Sequence, residues 1–313
     1  MDEITSAAVV ILAIAGDASF GDPPNRFHPV AWMGTIVMAV QRVTPVRGKV
    51  RRFLSGLLLV STGVIAIAVL GWWLQRGLRA CPVVIAVVAQ AILLKCTFSV
   101  RSLGHAANTV AAALREDNLP AARRHVAYHL VSRDVSKLDA SQLSAATIES
   151  VAENTSDSVI APLFYFAVAG LPGALVYRFV NTCDGMLGYR TNDLEWYGKT
   201  AARLDDLFNV VPARLTAFIM LLYGGLRAGR LRLAVAVWWR DRRRTASPNA
   251  GHPMSAAAGV LDVALEKNGH YLLGGGQPNP TVSAIDGSVA LLWETAIVFV
   301  CVQSAALVCR ALA

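Results

Sequence analysis

The chain alternates between long apolar stretches and compact polar blocks. Residues 53–75 carry no charged side chain between Arg52 and Arg76. That run exceeds the roughly 20 residues a helix needs to cross a bilayer. Residues 158–177 are also uncharged, but Leu171-Pro172-Gly173 interrupts them. Weaker apolar segments lie at 82–98 (with Lys95), 208–226 (with Arg214) and 287–309 (with Glu294), and a short run over 4–16 ends at Asp17. Spans are therefore predicted near 4–20, 53–75, 82–98 and 287–309, and 158–180 and 208–226 either span or re-enter. Between them, 101–114, 120–131 and 141–154 read as helices, the last with Asp139 to Ser141 as cap residues. Residues 247–287 read as a helix over 254–266 followed by a loop. Strand signals are few and no repeat is visible. The prediction is an all-α polytopic membrane protein with helical cytoplasmic segments, residues 1–313 forming one membrane-embedded unit.

Composition agrees. The 313 residues are 55% hydrophobic and 16% charged, against about 25% charged in soluble domains, and mean hydropathy is +0.47. Lys and Arg number 29 against 21 Asp and Glu, a net charge of +8. The basic residues gather beside apolar segments, at Arg42, Arg47, Lys49, Arg51 and Arg52, and again from Arg227 to Arg244. Clusters so placed read as a topology signal that puts both blocks on the cytoplasmic side of the cell membrane, and no nucleic-acid partner is expected. Pro172-Gly173 favours a re-entrant hairpin, which would keep the charged blocks on one side. The five cysteines are odd in number and form no CxxC pair, so buried, inert thiols are expected. Met1-Asp2-Glu3 is acidic, unlike the basic start of a secretory signal, so the N-terminus is expected in the mature protein.

The candidate chemistry lies in the polar blocks. Glu149 and Glu153 are four residues apart, hence on one helix face, and Asp157 extends that face if the helix continues. Three acids beside an apolar segment repel unless a cation joins them, and magnesium suits carboxylate and phosphate oxygens together. The alternative is a solvated helix face. A second block runs from Asn181 through Asp184 to Lys199, Arg203, Asp205 and Asp206. Its acids could bind metal and its cations anions, or it could be a connecting loop. Gly198-Lys199-Thr200 is not a P-loop, because that motif needs Gly where Asp193 stands. Gly274 to Gly276 reads as a flexible loop. Asp22, Arg26 and His28 sit in a loop stiffened by Pro23, Pro24 and Pro29. Asn249 and His252 follow the arginine block. Arg123, Arg124, His125 and His129 read as a solvated face, whereas Arg133 leads into the acidic helix.

Several of these blocks, in this order, resemble the CobD/CbiB family: Gly21-Asp-Pro-Pro with His28-Pro29, Arg133-Asp134, and Glu149-Ser-Val-Ala-Glu-Asn-Thr-Ser-Asp157. Ile160-Ala-Pro-Leu-Phe164, Asn181 to Tyr189, Ala202 to Asp206, Pro212-Ala-Arg214 and Ser247-Pro-Asn-Ala-Gly251 are similar as well. The likeness covers about residues 16–276. Ser158, Cys183, Gly185 and His252 depart from the usual pattern without removing a charged or amide group.

The resemblance implies an adenosylcobinamide-phosphate synthase of cobalamin biosynthesis. Such an enzyme joins adenosylcobyric acid to (R)-1-aminopropan-2-ol or its O-phosphate through an amide bond, using ATP as cosubstrate and Mg2+. It further implies Glu149, Glu153, Asp157 and Asp184 as catalytic, with Glu149, Glu153 and Asp184 about magnesium. Asp22, His28, Arg133, Asn154, Asn181, Lys199, Arg203, Asp206 and Asn249 would contact substrate or phosphate. Partners would be the corrinoid, the small amine, the bilayer, and either a second copy or other late-pathway membrane enzymes. Three rivals stand beside this. A non-catalytic corrinoid carrier or transporter would use Lys95, Arg214 and Glu294. A signalling relative would tolerate loss of its acids. The CDP-alcohol phosphotransferases begin their motif like Asp184-Gly185, but the residues that follow do not fit.

Overall fold

The computed structural model describes residues 3–44, 48–188 and 194–312. Arg47 of the first basic cluster and Tyr189 of the second polar block lie outside these residues, as do Met1, Asp2 and Asp193. In chain order the helices are α1 (Glu3–Phe20), α2 (Pro29–Val43), α3 (Lys49–Arg79), α4 (Val83–Lys95), α5 (Arg101–Arg115), α6 (Leu119–His129), α7 (Ala140–Thr155), α8 (Ala161–Leu187) and α9 (Lys199–Phe208). They continue with α10 (Val210–Arg227), α11 (Leu231–Asp241), α12 (Gly251–Leu261) and α13 (Val282–Leu312). A π turn over Ser156–Ile160 follows α7, and another, Met220–Gly224, lies within α10. The all-α class holds; the exception among the described residues is a hairpin of β1 (Leu265–Lys267) and β2 (Tyr271–Leu273).

Among the described residues, five helical stretches are long and apolar enough to cross a membrane: Glu3–Phe20, Lys49–Arg79, Ala140–Leu187, Val210–Arg227 and Val282–Leu312. Segment 82–98 forms the shorter apolar helix α4. Ala140–Leu187 would be about 70 Å long at 1.5 Å per residue, over twice the thickness of a hydrocarbon core. Its uncharged part begins at Ser158, so α7 is the polar lead-in and the apolar run falls on α8. Helix 231–241, read from sequence as part of a basic block, has apolar positions between its arginines. Of the five cysteines only Cys96 and Cys183 are buried; Cys81, Cys301 and Cys309 are exposed. That corrects the expectation of uniform burial, because apolar helices facing lipid expose their thiols too.

Contacts sort into two compact units. The first takes in 1–99, 161–209 and 300–313. Its centre is the pairing of α3 with α8, and α1 packs on α4. Glycines let the α3 backbone come close. A Cβ on Gly63 would stand 2.2 Å from the Phe179 ring, and one on Gly71 2.8 Å from Pro172 Cα. Helices in lipid gain no hydrophobic drive toward each other, so close approach at small residues supplies the attraction. The predicted interruption of 158–177 is real: Ala169 and Gly170 leave helical geometry, Gly170 at φ +65. The Leu171 N–H freed there donates to Gln75 Oε1 of α3 at 3.0 Å. A broken backbone at membrane depth needs such a partner.

The second unit takes in 100–160 and 210–299. Asp139 caps α7 in a capping box, accepting from Gln142 N at 2.8 Å while Gln142 Oε1 accepts from Asp139 N at 3.0 Å. From Leu143 to Ala152 every residue of α7 is buried, which marks a helix enclosed on all sides. α12 is similarly enclosed and packs on α11, α10 and α7.

Gly63→Leu should lower the melting temperature in detergent by several degrees, reflecting at least ~2 kcal/mol of clash and helix separation. Gly77→Ala, where a Cβ meets nothing within 4 Å, should leave it unchanged or slightly raised. A differential melting scan of both variants checks the pair.

Candidate functional site

In the second unit, a cleft of about 180 Å3 is lined by Arg133, Glu149, Ser150, Glu153, Lys267 and Tyr271, among others. The enclosed helix α7 places Glu149 at 5% exposure. Arg133 Nη2 donates to Glu149 Oε2 at 3.3 Å. Glu149 Oε1 is buried with no hydrogen-bond partner of normal length, although the Tyr271 hydroxyl interacts with the carboxyl. Burial pushes the Glu149 carboxyl up to about 7; Arg133 and Lys267 oppose the rise and Glu153 adds to it. Burial and then the charges of Glu149 and Glu153 also raise Tyr271, which therefore stays a hydroxyl donor.

The four-residue spacing thus brings Glu149 and Glu153 to one cleft. Asp157 does not line it. It lies in the π turn, where each turn holds an extra residue, so the face set by α7 is not continued. Asn154 points its amide back to Ser150 O at 2.9 Å and accepts from Ser158 Oγ at 3.0 Å. Lys267 and Tyr271 were not candidates in the sequence. They are a register pair of the hairpin, whose three-residue loop holds Gly269 at φ +74. The Asn268-Gly269 dipeptide between Leu265 and Leu273 was the available signal. Asp241 anchors the hairpin's far end, accepting from Gly274 N at 2.8 Å and pairing with Arg240 at 2.8 Å and Arg244 at 3.1 Å. Burial alone would raise its carboxyl, but these partners hold it below the usual range. Asn249, also in this unit, is buried and accepts from Arg214 at 3.1 Å.

In the first unit, Asp22 belongs to an ion cluster. Lys95 Nζ pairs with Asp22 and lies 3.3 Å from Asp17; Ser99 Oγ donates to Asp22 Oδ2 at 2.7 Å. His28 stands 3.8 Å from Asp22 and caps α2 by accepting from Val30 N. Asn181 donates to Asp205 Oδ1 at 3.2 Å, and Asn209 donates to Asp205 Oδ2 at 2.9 Å while accepting from Tyr177. Burial raises the Asp205 carboxyl despite those two amide donors. The buried member of this acidic pair is Asp205, while the candidate Asp206 is partly exposed. Asp184 is partly exposed and its carbonyl accepts from Gly188 N at 2.7 Å. Lys199 lies over the Trp196 ring at 4.2 Å and Arg203 is exposed.

Among the described residues no three His, Cys, Asp or Glu side chains gather as a ready-made metal cage. The cleft nevertheless offers hard carboxylate oxygens from Glu149 and Glu153. That suits a cation which keeps water and phosphate oxygens as most of its ligands, as magnesium does.

The family model described as CobD/Cbib protein matches residues 10–291. "Cobalamin biosynthesis protein CobD" of Dehalococcoides mccartyi is 43% identical over 268 residues, 85% of this chain and 86% of that protein. Proteins named "Probable cobalamin biosynthesis protein CobD" from Methanothermobacter thermautotrophicus and Methanocaldococcus jannaschii are 41% and 34% identical over 271 and 272 residues. These cover 87% and 86% of this chain, and 88% of each relative. No solved structure matches the chain.

The raised Glu149 carboxyl fixes a sign for stability. Unfolded, it titrates near 4.3, so the folded state holds the extra proton between there and about 7. Its contribution is present at acid pH and lost as pH rises through that window. Glu149→Gln should therefore melt higher than the parent at pH 8, by up to ~3 kcal/mol, and converge with it near pH 4. Parallel melting curves across pH would contradict the assignment.

Proposed function

The chain belongs to the CobD/CbiB family, and from that premise we propose that it forms an amide bond between adenosylcobyric acid and (R)-1-aminopropan-2-ol or its O-phosphate at the expense of ATP. Its part in cobalamin biosynthesis is common ground with its relatives; the reaction is the proposal. The observation that carries it is the cleft in which a buried acid, poised near neutrality, faces two cations and a hydroxyl donor.

A carboxylate does not acylate an ammonium group at neutral pH. Phosphoryl transfer from ATP to the corrinoid carboxylate would give an acyl phosphate, releasing ADP. The free amine then attacks the acyl carbon; the C–N bond forms, the C–O bond to phosphate breaks and phosphate leaves. The amine must shed protons, and Glu149, with a carboxyl near the working pH, is the base best matched to accept them. Arg133 and Lys267 would hold phosphoryl or carboxylate oxygens, and Tyr271 would donate to the acyl oxygen. Glu153 would supply carboxylate oxygen to a magnesium ion arriving with ATP, whose charge would offset that of the phosphates, while Glu149, which the resemblance also places about magnesium, is kept here as the base. On the family resemblance alone, Asp157 and Asp184 stay in the proposal as catalytic groups, Asp184 also toward magnesium, and Asp22, His28, Asn154, Asn181, Lys199, Arg203, Asp206 and Asn249 stay as substrate or phosphate contacts. The proposed location is the cell membrane, with the cleft open to the cytoplasm.

The test is incubation of purified protein with adenosylcobyric acid, ATP, magnesium and each amine, with mass spectrometry of the corrinoid. Glu149→Gln and Glu153→Gln should each lose at least 100-fold in turnover. For the parent, kcat/KM should rise about tenfold per pH unit below 7 and level above it, a dependence that Glu149→Gln flattens. Near-parental turnover in both variants would remove the cleft from the chemistry. A corrinoid that binds unchanged, with no substrate-dependent ATP hydrolysis, would favour a carrier.

A further inference from the structure

Within the second unit, α10, α11 and α12 border a groove of about 920 Å3 that the reaction above does not use. Its walls are apolar: Phe218 and Leu222 come from α10, a helix apolar enough to cross a membrane, and Val235 from α11. All three are exposed. One end is cationic. Arg214, Arg242 and Arg243 line it together with His252, Trp238 and Trp239.

The arginines of this run divide into two kinds. Arg240 and Arg244 both pair with Asp241. Arg242 and Arg243 have no carboxylate partner among the described residues, and neither has Arg214, which bonds Asn249 and Val210 O. Arg242 lies 3.6 Å from the Trp239 ring centroid and 5.1 Å from that of Trp238, so aromatic faces hold its guanidinium in place. His252, 6% exposed, has its Nδ1 buried without a partner, as does the Trp238 indole N–H. Burial and the three neighbouring guanidinium groups push His252 down to about 4, leaving a neutral ring. The groove thus ends in uncompensated positive charge and unmet hydrogen-bonding capacity, while its length offers only hydrocarbon.

We propose that this groove binds one acidic phospholipid, its phosphate headgroup against Arg242, Arg243 and the His252–Trp238 edge and its acyl chains along Phe218, Leu222 and Val235. Charge complementarity selects the anionic head, since a zwitterionic lipid would bring its own cation to three guanidinium groups. The exposed apolar walls select an amphiphile over a soluble phosphate. Tryptophans at the junction suit the polar–apolar boundary of a bilayer.

The experiment uses the full chain in phosphatidylcholine nanodiscs, doped at equal mole fractions with brominated phosphatidylglycerol or brominated phosphatidylcholine. The fluorescence quenched at Trp238 and Trp239 is the difference from a Trp238→Phe/Trp239→Phe variant. The expected result is a roughly tenfold preference for the acidic lipid, abolished in Arg242→Gln/Arg243→Gln and retained in Arg124→Gln, an exposed arginine elsewhere in the unit. If the double variant does not fold by melting scan, Arg243→Gln alone carries the test, since its exposed side chain has no partner to lose. Equal quenching by both lipids overturns the proposal. So does an undiminished preference in the arginine variant, or relief of the quenching by glycerol 3-phosphate, which would make the groove a soluble-anion site.

Discussion

Hydrocarbon offers nothing to a charge or to an unpaired backbone group, and this constraint orders the whole molecule. Each polar group carried into an apolar segment has to be met by another part of the chain. Lys95 closes α4 between Asp17 and Asp22. The backbone break at Gly170 is met by Gln75. Glu294 on α13 is met by Arg227 at 3.1 Å. Leaving any of these unpaired at depth would cost several kcal/mol, so the apolar helices are held in register by a few polar contacts rather than by burial of oil against oil. Of the three charges the transport reading names, Lys95 and Glu294 are paired with opposite charges, whereas Arg214 bonds Asn249 and Val210 O.

The second unit solves a different problem, that of keeping a carboxyl away from water without neutralising it outright. α7 is enclosed because its interior positions are small, with Ser144, Ala145, Ala146 and Ala152 letting neighbours pack on every side. Glu149 therefore enters a dry setting on a rigid element. The partially exposed Arg133, together with Lys267, offsets the cost without abolishing it. The result is an acid near neutrality beside cations, a combination that structural ion pairs seldom need and acid–base chemistry does.

Much of this was legible in the residues. Uncharged runs located the long helices, Asp139 and Gln142 announced the start of α7, and Pro172-Gly173 flagged a break that lies two to three residues earlier, at Ala169-Gly170. The spacing of Glu149 and Glu153 gave a shared face. Asp157 left that face because a π turn changes the repeat from within, and nothing in Ser156 to Ile160 signals it to a reader counting in fours. Lys267 and Tyr271 escaped because three-residue strands are too short for alternation to show, so that only the Asn-Gly turn pointed to them. In the second polar block both Asp205 and Asp206 were candidates and the resemblance pointed to Asp206, whereas the buried one is Asp205. Which of two adjacent aspartates turns inward depends on where Asn181 and Asn209 stand, and that is a matter of tertiary packing.

The hairpin has one more implication. A ladder of three residues per strand does not persist on its own; this one is held by α7 behind it and by the carboxylate of Asp241 at its exit. The acid of the cleft and the wall that faces it consequently belong to different kinds of element. Glu149 rides on the enclosed helix α7, whereas Lys267 and Tyr271 face each other across a short hairpin closed by Asn268-Gly269. A change in the Asn268-Gly269 turn would therefore shift two walls of the cleft together while leaving the acid on α7 where it is.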